Sequence, residues 1–575
     1  MILENNNTKP DLKISHVVIM TIGCFIFILL RLIYLQVLEA DLFCQLSTNN
    51  FTRLNTMQSP RGNITDIHGN LLATNRPVKN IIWHGSGLRN LSNEQLQIIT
   101  KVSEIIGIEC SSDLIKKIQC AERQERDLLL FEDIDFKTLS KIEELFSTNK
   151  NIAITSDFKR FYPHDKLACH IIGYLGTMNI SKIGKMGLER LFEDALKGKQ
   201  GLKKSTVNSL GKKINDTEIE KTINGETIVT TIDLELQQFG ENSFPEQYSG
   251  SMTVMDPKTG AIKVLLSRPN FDPTIFLEPI PESEWNNLLE NKPFINRALN
   301  ACYPPASIFK LVTVATGLEL GFITCESRFR CNGHIIFGDR RYHCHNHNGH
   351  GPLTIRQAMA QSCNILFYKL AQLISIDVLA SYAKKFGLGH KTGIIFPEND
   401  GLVPNTEWKY ATKGERWWTG ETLSTSIGQS YLLATPIQIT RMISGLFEGF
   451  LVQPRILEIE PVIKTALNIK PETINFLKDS MRHVVKEGTG IRVSNIADLT
   501  IYAKTGTAQT CSLQKENQTK TDLEHAWFVG SFSYKNEEPL TIVILVENAG
   551  STRVAISTAK KFFNQYRQLM AKKTN

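Results

Sequence analysis

The sequence carries little excess charge of either sign and no dense run of basic residues. Its 575 residues include 65 lysines and arginines against 58 aspartates and glutamates, for a formal net charge of +7. Proteins that bind nucleic acids concentrate lysine and arginine in patches, so the sequence predicts no nucleic-acid partner. Internal repeats and low-complexity tracts are also absent, which excludes a repeat architecture. A chain of this length is instead expected to form two or three globular domains.

Long apolar runs are scarce, and one segment has the length of a membrane span. Residues 14–38 read ISHVVIMTIGCFIFILLRLIYLQVL. They reach the ~20 residues that a span requires if the charged end of Arg31 extends to the membrane surface. The alternative is a cleaved signal peptide, but no small-x-small cleavage site follows the run, and Phe43 before Cys44 does not suit a lipoprotein signal. The segment is therefore predicted to be a retained transmembrane anchor.

Charges beside the anchor predict its orientation. Lys9 and Lys13 precede it, and Glu39 and Asp41 follow it. Because lysine and arginine favour the cytoplasmic side of a membrane, residues 1–13 are predicted to form a short cytoplasmic tail. Everything beyond the anchor is predicted to lie outside the cytoplasm.

Strand-like segments at both ends of the last 335 residues predict the fold class of that region. Two strands, at 251–256 and 261–267, are joined by the turn PKTG. A helix-rich interval follows, and three further strands and a final helix are predicted at 499–508, 525–534, 539–547 and 553–571. Strands from distant parts of the chain can close one antiparallel sheet with helices packed on it. The prediction is an α+β fold with a five-stranded antiparallel sheet flanked by helices.

A change of pattern predicts the domain boundary. The stretch 240-GENSFPEQYSG-250 separates the strand-rich region from the mixed region before it. We therefore predict an N-terminal domain over residues 39–240 and a C-terminal domain over residues 241–575. Within the first domain, residues 92–150 are predicted to be helical.

A serine and a lysine one helical turn apart stand in the apolar stretch 304-PPASIFKLVTVATGLELG-321. The prolines favour a helix start and Gly321 favours its end, so Ser307 is predicted in the first turn, with Lys310 on the same face. A buried lysine can have a lowered pKa and accept the proton of a neighbouring hydroxyl. The alternative is a capping serine beside a surface lysine, and S-x-x-K alone does not decide between them.

Two further short motifs follow along the chain. Ser362 and Asn364 form S-x-N between two helical patterns. The tripeptide K-T-G occurs three times, beginning at Lys258, Lys391 and Lys504. The first copy lies in the predicted hairpin turn and the second in a loop, whereas the third lies in a strand-like run that continues through Thr505, Gly506 and Thr507. A strand of this composition can present a cation, hydroxyls and backbone groups to an extended peptide.

In the order S-x-x-K, S-x-N, K-T-G, the three motifs resemble the signature of the penicillin-binding proteins. The stretch RGNITDIHGNLLATN at 61–75, and GYLG followed by GLE, resemble the N-terminal pedestal of the monofunctional class B members. This chain has Ile67-His68-Gly69 where an arginine-asparagine-glycine is usual. The stretches WWTGETLSTSIGQSYLLATPIQ, KTGTAQ and HAWFVG are most similar to the elongation branch of class B, with the septal branch as the alternative. The resemblance covers most of the chain beyond the anchor and implies an elongated mixed pedestal domain before a transpeptidase domain.

The resemblance also implies a reaction and a location. Ser307 would attack a D-alanyl-D-alanine stem peptide of peptidoglycan, Lys310 would take its proton, and Ser362 would relay a proton to the leaving D-alanine. Asn364 would bind the peptide, and the K-T-G strand at 504–507 would hold its terminal carboxylate. β-Lactams would acylate the same serine. The implied location is the bacterial inner membrane, crossed once, with the large domains on the periplasmic side.

Partners and rival functions follow from the same resemblance. The implied role is cross-linking in cell elongation and rod-shape maintenance, with a membrane glycosyltransferase and other elongation proteins as partners. A D,D-carboxypeptidase would seldom carry such a pedestal, and a serine β-lactamase would be shorter and without an anchor. A membrane β-lactam sensor would have additional cytoplasmic or multi-span parts. A catalytically inactive scaffold would be expected to lack one of the three motifs.

A cluster of soft metal ligands lies in 331-CNGHIIFGDRRYHCHNHNGHG-351. With the middle residue of S-x-N, the set Cys331, Cys344, His350 and Cys363 suits one structural zinc ion. Some elongation-type relatives resemble this pattern, with carboxylates where this chain has cysteines. The alternatives are a Cys331–Cys344 disulfide outside the cytoplasm, or free thiols beside solvated histidines. The sequence leaves all three open.

Overall fold

The computed structural model describes residues 12–44, 52–147, 149–178, 181–207, 213–509 and 523–574. Two compact units are present. The N-terminal unit comprises Met1–Pro60, Pro77–Lys159 and Gly198–Gly225, and the C-terminal unit comprises Arg61–Arg76, Arg160–Lys197 and Glu226–Asn575. These units follow contacts rather than chain order, and the boundary near residue 240 stays a prediction.

The predicted anchor forms a continuous helical segment. An α-helix covers Leu12–Ile33 and a π-helical turn covers Tyr34–Leu38. The stretch His16–Leu38 is 23 residues long with a mean hydropathy of 2.5, long and apolar enough to cross a membrane. Its large apolar side chains are exposed, as Met20 illustrates with 74%. Lipid would cover such side chains in a membrane.

Helices and strands of two sheets make up the rest of the N-terminal unit. Its elements are Thr52–Met57, Asn93–Ile106, Ser112–Arg123, Asp127–Phe131, Phe136–Phe146, Gly201–Val207 and Lys213–Glu220, and the strands Leu71–His84 and Ile152–Phe161 have residues in both units. The helices predicted over 92–150 are present, but the strand Asp127–Phe131 was not predicted. The strand Asp127–Phe131 pairs with the last four residues of the strand Leu71–His84. At the centre of this unit, the indole of buried Trp83 donates to the Glu122 carboxylate at 2.8 Å.

The C-terminal unit is built on one antiparallel sheet. Its strands are β1 (Gly250–Met255), β2 (Ile262–Arg268), β3 (Leu499–Ala508), β4 (His525–Tyr534) and β5 (Leu540–Val546), in the spatial order β2-β1-β5-β4-β3. Strands from the two ends of the unit therefore pair at β1 and β5. The predicted α+β fold with a five-stranded antiparallel sheet is confirmed. Since β3 lies at an edge, one side of this strand makes no pairing with another strand of the sheet.

Helices cover both faces of the sheet. Those used below are α1 (Lys310–Glu319), α2 (Pro471–Glu487) and α3 (Thr552–Thr574). The remaining helical segments of the unit are Cys169–Ile172, Gly187–Leu191, Glu193–Lys197, Leu234–Ser243, Pro273–Leu277, Glu282–Asn291, Ala306–Ile308, Ile355–Ala360, Ile365–Ala371, Ile376–Lys385, Thr406–Lys413, Thr419–Ser426, Pro436–Glu448 and Ile491–Val493. The remaining strands are short: Ile64–Thr65, Leu175–Met178, Ser181–Gly184, Ile228–Val229, Arg328–Cys331, His334–Phe337, Arg340–His343, Gly351–Thr354, Phe450–Val452 and Lys464–Ala466.

Side chains point alternately to the two faces of the sheet, so the hydrophobic core consists of two layers, one on each face. In β4, Phe528 and Phe532 face α3, where they contact the ring of Phe563. Trp527 and Val529 of the same strand belong to the opposite core, with the buried part of α1. Side chains in a strand alternate between faces, so the nearly continuous apolar sequence of β4 fits a strand that is covered on both sides.

Segments predicted for the pedestal meet in a buried ion-pair network inside the C-terminal unit. The Glu189 carboxylate accepts from Arg61 Nε and from Arg160 Nε, each at 2.6 Å, and the side chains of Arg160 and Glu189 are 1% and 0% exposed. Arg61 also pairs with Glu193 at 2.6 Å. Burial alone would lower the pKa of Arg61, but the attraction of the two carboxylates raises it above its ordinary value. The network ties the RGN stretch to GLE, far along the chain.

Candidate active site

Ser307 lies in a 3₁₀ turn, Ala306–Ile308, immediately before α1. Ala306 has a φ of +49°, a conformation that is unfavourable for a residue with a side chain. Its amide donates to Gly428 O at 2.8 Å, and a Cβ on Gly428 would lie 2.1 Å from Ala306 O. Only glycine permits this close approach, which holds the turn that carries the serine. Ser307 is half-buried, and no hydrogen bond of its hydroxyl is found among the described residues.

Lys310 is fully buried at the start of α1. Its Nζ lies 2.7 Å from Ser362 O, 2.7 Å from Asn364 Oδ1 and 3.2 Å from Ser362 Oγ. Burial lowers the pKa of Lys310 to about 7, against an opposing influence of the thiols of Cys363 and Cys344. The alternative of a solvated surface lysine is therefore wrong.

The S-x-N segment joins two helices, Ile355–Ala360 and Ile365–Ala371. Ser362 has a φ of +54°, so the backbone turns sharply there. Asn364 Nδ2 donates to His343 O at 3.2 Å while its Oδ1 accepts from Lys310. The two helices and these bonds fix Ser362 and Asn364 around the amine of Lys310.

Lys504 reaches the same hydroxyl from the sheet. Its Nζ donates to Ser362 Oγ at 2.9 Å and to Thr505 O at 3.1 Å. Burial, and then the charge of Lys310, lower the pKa of Lys504 well below its ordinary value. The Ser362 hydroxyl therefore bridges two buried lysines that are far apart in sequence.

The rest of the K-T-G strand packs beside the serine turn. A Cβ on Gly506 would lie 3.3 Å from the side chain of Ile308, so the absence of a side chain lets β3 approach the residue next to Ser307. Thr505 Oγ1 lies 2.6 Å from Thr489 Oγ1, and Thr507 O accepts from Gln429 Nε2 at 3.3 Å.

These contacts bring the segments that carry the three motifs together, and they add Gln429 and Thr489. The catalytic and substrate-binding roles of the eight predicted residues stay predictions. Gln429 lies in the stretch that carried the resemblance to the elongation branch, so the sequence offered a signal for it. Nothing in the local sequence of Thr489 indicated that its hydroxyl would meet Thr505. The other two K-T-G copies lie elsewhere: Lys258-Thr259-Gly260 forms the turn between β1 and β2, and Thr392 of the copy at 391–393 donates to Glu398 at 2.7 Å.

The four predicted metal ligands form one cluster. The ligand atoms of Cys331, Cys344, His350 and Cys363 all lie within 4.8 Å of one another. His350 Nδ1 is 3.5 Å from Cys331 Sγ and 3.6 Å from Cys344 Sγ, and the sulfurs of Cys344 and Cys363 are 3.9 Å apart. The predicted alternative of a Cys331–Cys344 disulfide is not formed, since both are free cysteines in this structure.

These distances fit a tetrahedral zinc site. Zinc–sulfur bonds of about 2.3 Å and a zinc–nitrogen bond of about 2.0 Å give sulfur–sulfur edges of ~3.8 Å and sulfur–nitrogen edges of ~3.5 Å. The hydrogen bond between Cys344 and Cys363 lowers the pKa of Cys344 and raises the pKa of Cys363, so it favours one thiolate of the pair. Three of the four residues are buried, as in a closed structural site.

Two protein-family models match the chain. The penicillin binding protein transpeptidase domain matches residues 250–568, and the penicillin-binding protein dimerisation domain matches residues 56–230. The chain therefore belongs to the penicillin-binding proteins of class B, which join these two domains. The predicted family resemblance is confirmed, together with the type of enzyme that it implied.

Relatives place the chain near the elongation branch. A peptidoglycan D,D-transpeptidase, MrdA, from Acinetobacter baumannii is 29% identical over 98% of this chain and 88% of its own length. The penicillin-binding protein PBP2 of Helicobacter pylori, solved in complex with MreC, is 26% identical with a TM-score of 0.80, over 90% of this chain and 99% of its own. A structure described as a peptidoglycan synthase complex that coordinates polymerization and crosslinking is 28% identical with a TM-score of 0.75, over 97% of this chain and 99% of its own.

Proposed function

We propose that this protein cross-links peptidoglycan stem peptides as a D,D-transpeptidase through an acyl-enzyme on Ser307. The observation that carries the proposal is the Ser362 hydroxyl held between Lys310 and Lys504, at 3.2 Å and 2.9 Å, next to the serine turn. A hydroxyl between two amines with lowered pKa values can pass a proton in either direction. Acyl transfer requires both directions, one when the serine attacks and one when the amine leaves.

The hydrogen bonds of Lys310 suit a neutral amine. An uncharged amine has two N–H donors, and Ser362 O and Asn364 Oδ1 accept them at 2.7 Å each. Its lone pair is then available to a hydroxyl proton. With its pKa lowered to about 7 by burial, Lys310 is neutral in about half of the molecules at neutral pH. It takes the proton of Ser307 on attack, and Ser362 conveys that proton to the nitrogen of the leaving D-alanine.

The edge strand β3 binds the donor peptide. Because its outer side is unpaired in the sheet, an extended peptide adds to β3 as a further strand. Lys504, Thr505 and Thr507 hold the terminal carboxylate, and Asn364 binds the peptide backbone. The amides of Ser307 and Thr507 stabilise the oxyanion, with a contribution of about 3 kcal/mol for each donor.

A labelled penicillin tests the proposal. Full-length protein in detergent is incubated with a fluorescent penicillin, digested and analysed by mass spectrometry. We expect one ester-linked adduct on Ser307 that persists for many minutes. Rapid release of the label would indicate a β-lactamase, and the absence of an adduct would exclude every acyl-enzyme reaction.

The anchor helix and the relatives also suggest a cellular setting. The helix over His16–Leu38 would anchor the chain in the inner membrane, with residues 1–13 in the cytoplasm and with pedestal and transpeptidase domains, 39–240 and 241–575, outside. Partners would be a membrane glycosyltransferase and other elongation proteins. The similarity to a synthase complex and to PBP2 solved with MreC supports this assignment.

We also assign a structural zinc ion to Cys331, Cys344, His350 and Cys363. Cys363 lies between Ser362 and Asn364, so a metal bound there would fix the loop that surrounds the amine of Lys310. The ion would supply no chemistry to the acyl transfer.

The zinc assignment predicts a stoichiometry that cysteine variants change. Protein purified without chelator should contain about one zinc ion per chain, measured by plasma mass spectrometry. Cys344→Ser should reduce the content at least tenfold, because one ligand of a closed site is lost. Cys325→Ser is the matched control, since Cys325 is an exposed free cysteine outside the cluster. Equal zinc in the Cys344 variant and in wild type would refute the assignment.

A further inference from the structure

A polar cleft of about 530 Å³ lies beside the segments that carry the motif residues. Its walls include His350, Gln361, Glu487 and Thr489. Gln361 immediately precedes Ser362 in the chain. On the opposite wall, Thr489 Oγ1 lies 2.6 Å from Thr505 Oγ1. Both sides of the cleft are therefore direct extensions of the two sides of the catalytic site.

The end of α2 holds these walls together. Thr489 N donates to Ala360 O at 3.2 Å. A Cβ on Gly488 would lie 2.2 Å from the same oxygen, so glycine permits the close approach of the two segments. The position of Glu487 relative to the 360–362 segment is consequently fixed by backbone contacts.

Among the described residues, Glu487 is the one acidic residue that lines the cleft. Glu487 is exposed, and it forms no ion pair within the part of the chain that the structure describes. It is the last residue of a 17-residue helix, whose carboxyl end carries a partial negative charge. A site with these properties favours a cation that also carries hydrogen-bonding groups.

The cleft lies next to the segment that carries Ser362, beside which the second substrate must enter. If the proposed transpeptidase function holds, on which this inference rests, the incoming amine nitrogen occupies the position that the leaving D-alanine nitrogen vacates, beside Ser362. Thr505, which would hold the D-alanine carboxylate, contacts Thr489 on the wall of the cleft. We propose that the cleft binds the acceptor stem peptide, with Glu487 as the charge partner of its side-chain ammonium until that group loses its proton, and with Gln361 and Thr489 as hydrogen-bonding partners of its amides.

In the transfer step, the acceptor nitrogen displaces Ser307 Oγ from the acyl carbon. The ammonium of the acceptor first loses one proton to water, and its nitrogen then attacks the ester carbon. The C–N bond forms and the bond between the acyl carbon and Ser307 Oγ breaks. The second proton leaves the nitrogen through Ser362 and returns to Ser307 Oγ. The products are a peptide cross-link and free enzyme, with no net oxidation.

Separate measurement of the two half-reactions tests the proposal. Full-length enzyme in detergent is assayed for acylation by fluorescent penicillin, and for transfer of a D-alanyl-D-alanine pentapeptide to a tetrapeptide that bears one free side-chain ammonium. For Glu487→Gln we expect the KM for the tetrapeptide to rise about 5-fold, and for Glu487→Lys at least 20-fold because like charges repel. Acylation by penicillin should stay within twofold of wild type in both variants. Glu472→Gln, at the other end of α2, is the matched control.

Each outcome of these assays decides one question. A wild-type enzyme that forms the acyl-enzyme but passes it only to water would refute the proposed transpeptidase function, whereas unchanged acceptor KM in both Glu487 variants would overturn the proposal for the cleft. Loss of penicillin acylation in the variants would show that Glu487 acts on the first half-reaction and would also overturn it. A wild-type protein that forms no penicillin adduct would instead refute the proposed function itself.

Discussion

Replacing Lys310 by alanine should lower the second-order rate of penicillin acylation by about 10³-fold, within the range for loss of a general base. Lys310 is the fully buried amine with three oxygen contacts inside the cleft, and no other described amine contacts both Ser362 and Asn364. Stopped-flow measurement of fluorescent penicillin labelling gives the rate directly.

The pH profile separates loss of the base from loss of structure. Lys310 must be neutral to accept a proton, and its neutral fraction increases as pH rises through its pKa of about 7. Wild-type acylation should therefore increase with pH, reach half its maximum near pH 7 and then level off. The residual rate of Lys310→Ala should lack this step.

A second lysine provides the matched control. Burial also lowers the pKa of Lys478, which donates to Phe447 O at 2.6 Å and makes no contact with the motif residues of the site. Lys478→Ala should keep both the wild-type rate and its pH step. A Lys310→Ala variant that retained that step, or that acylated within tenfold of wild type, would contradict the role of Lys310 as the base.

Local patterns in the sequence were sufficient to predict the sheet and the motif residues. The predicted strands at 499–508 and 525–534 coincide with β3 and β4, because long β-branched and aromatic runs bounded by turns have few alternatives. The final helix was also predicted and extends over Thr552–Thr574. The spacing of cysteines and histidines in the sequence also predicted the four residues of the metal cluster. Cysteine and histidine are uncommon residues, so several of them close together indicate a metal site.

Contacts between distant segments could not be predicted in the same way. Pairing of the Ser362 hydroxyl with both Lys310 and Lys504 depends on three chain segments that meet only in the folded unit. The bond of Thr489 to Thr505 has no local signature. Resemblance identified the stretches that contain Arg61 and Glu189 as pedestal segments, but the sequence did not show that they form an ion pair.

Replacing Glu189 by glutamine should destabilise the C-terminal unit by about 3–5 kcal/mol, the cost of breaking a buried ion pair from one side. Glu189 accepts from Arg61 and Arg160 at 2.6 Å each, and Arg61 Nη2 also donates to its backbone oxygen at 2.9 Å. Removal of the carboxylate charge leaves Arg160, with a side chain that is 1% exposed, without an anionic partner. Differential scanning fluorimetry should show a melting temperature lowered by roughly 4–6 °C.

An exposed ion pair of the same unit provides the comparison for this effect. Lys258 and Glu538 lie 2.5 Å apart, with side chains that are 48% and 73% exposed. Solvent screens such a pair, so Glu538→Gln should leave the melting temperature nearly unchanged. Below its melting temperature, Glu189→Gln should still be acylated by penicillin at the wild-type rate, because Glu189 makes no contact with the catalytic motifs. A melting temperature equal to that of the Glu538 variant would show that the buried network contributes little to stability, and a slowed acylation would show that it also supports the catalytic cleft.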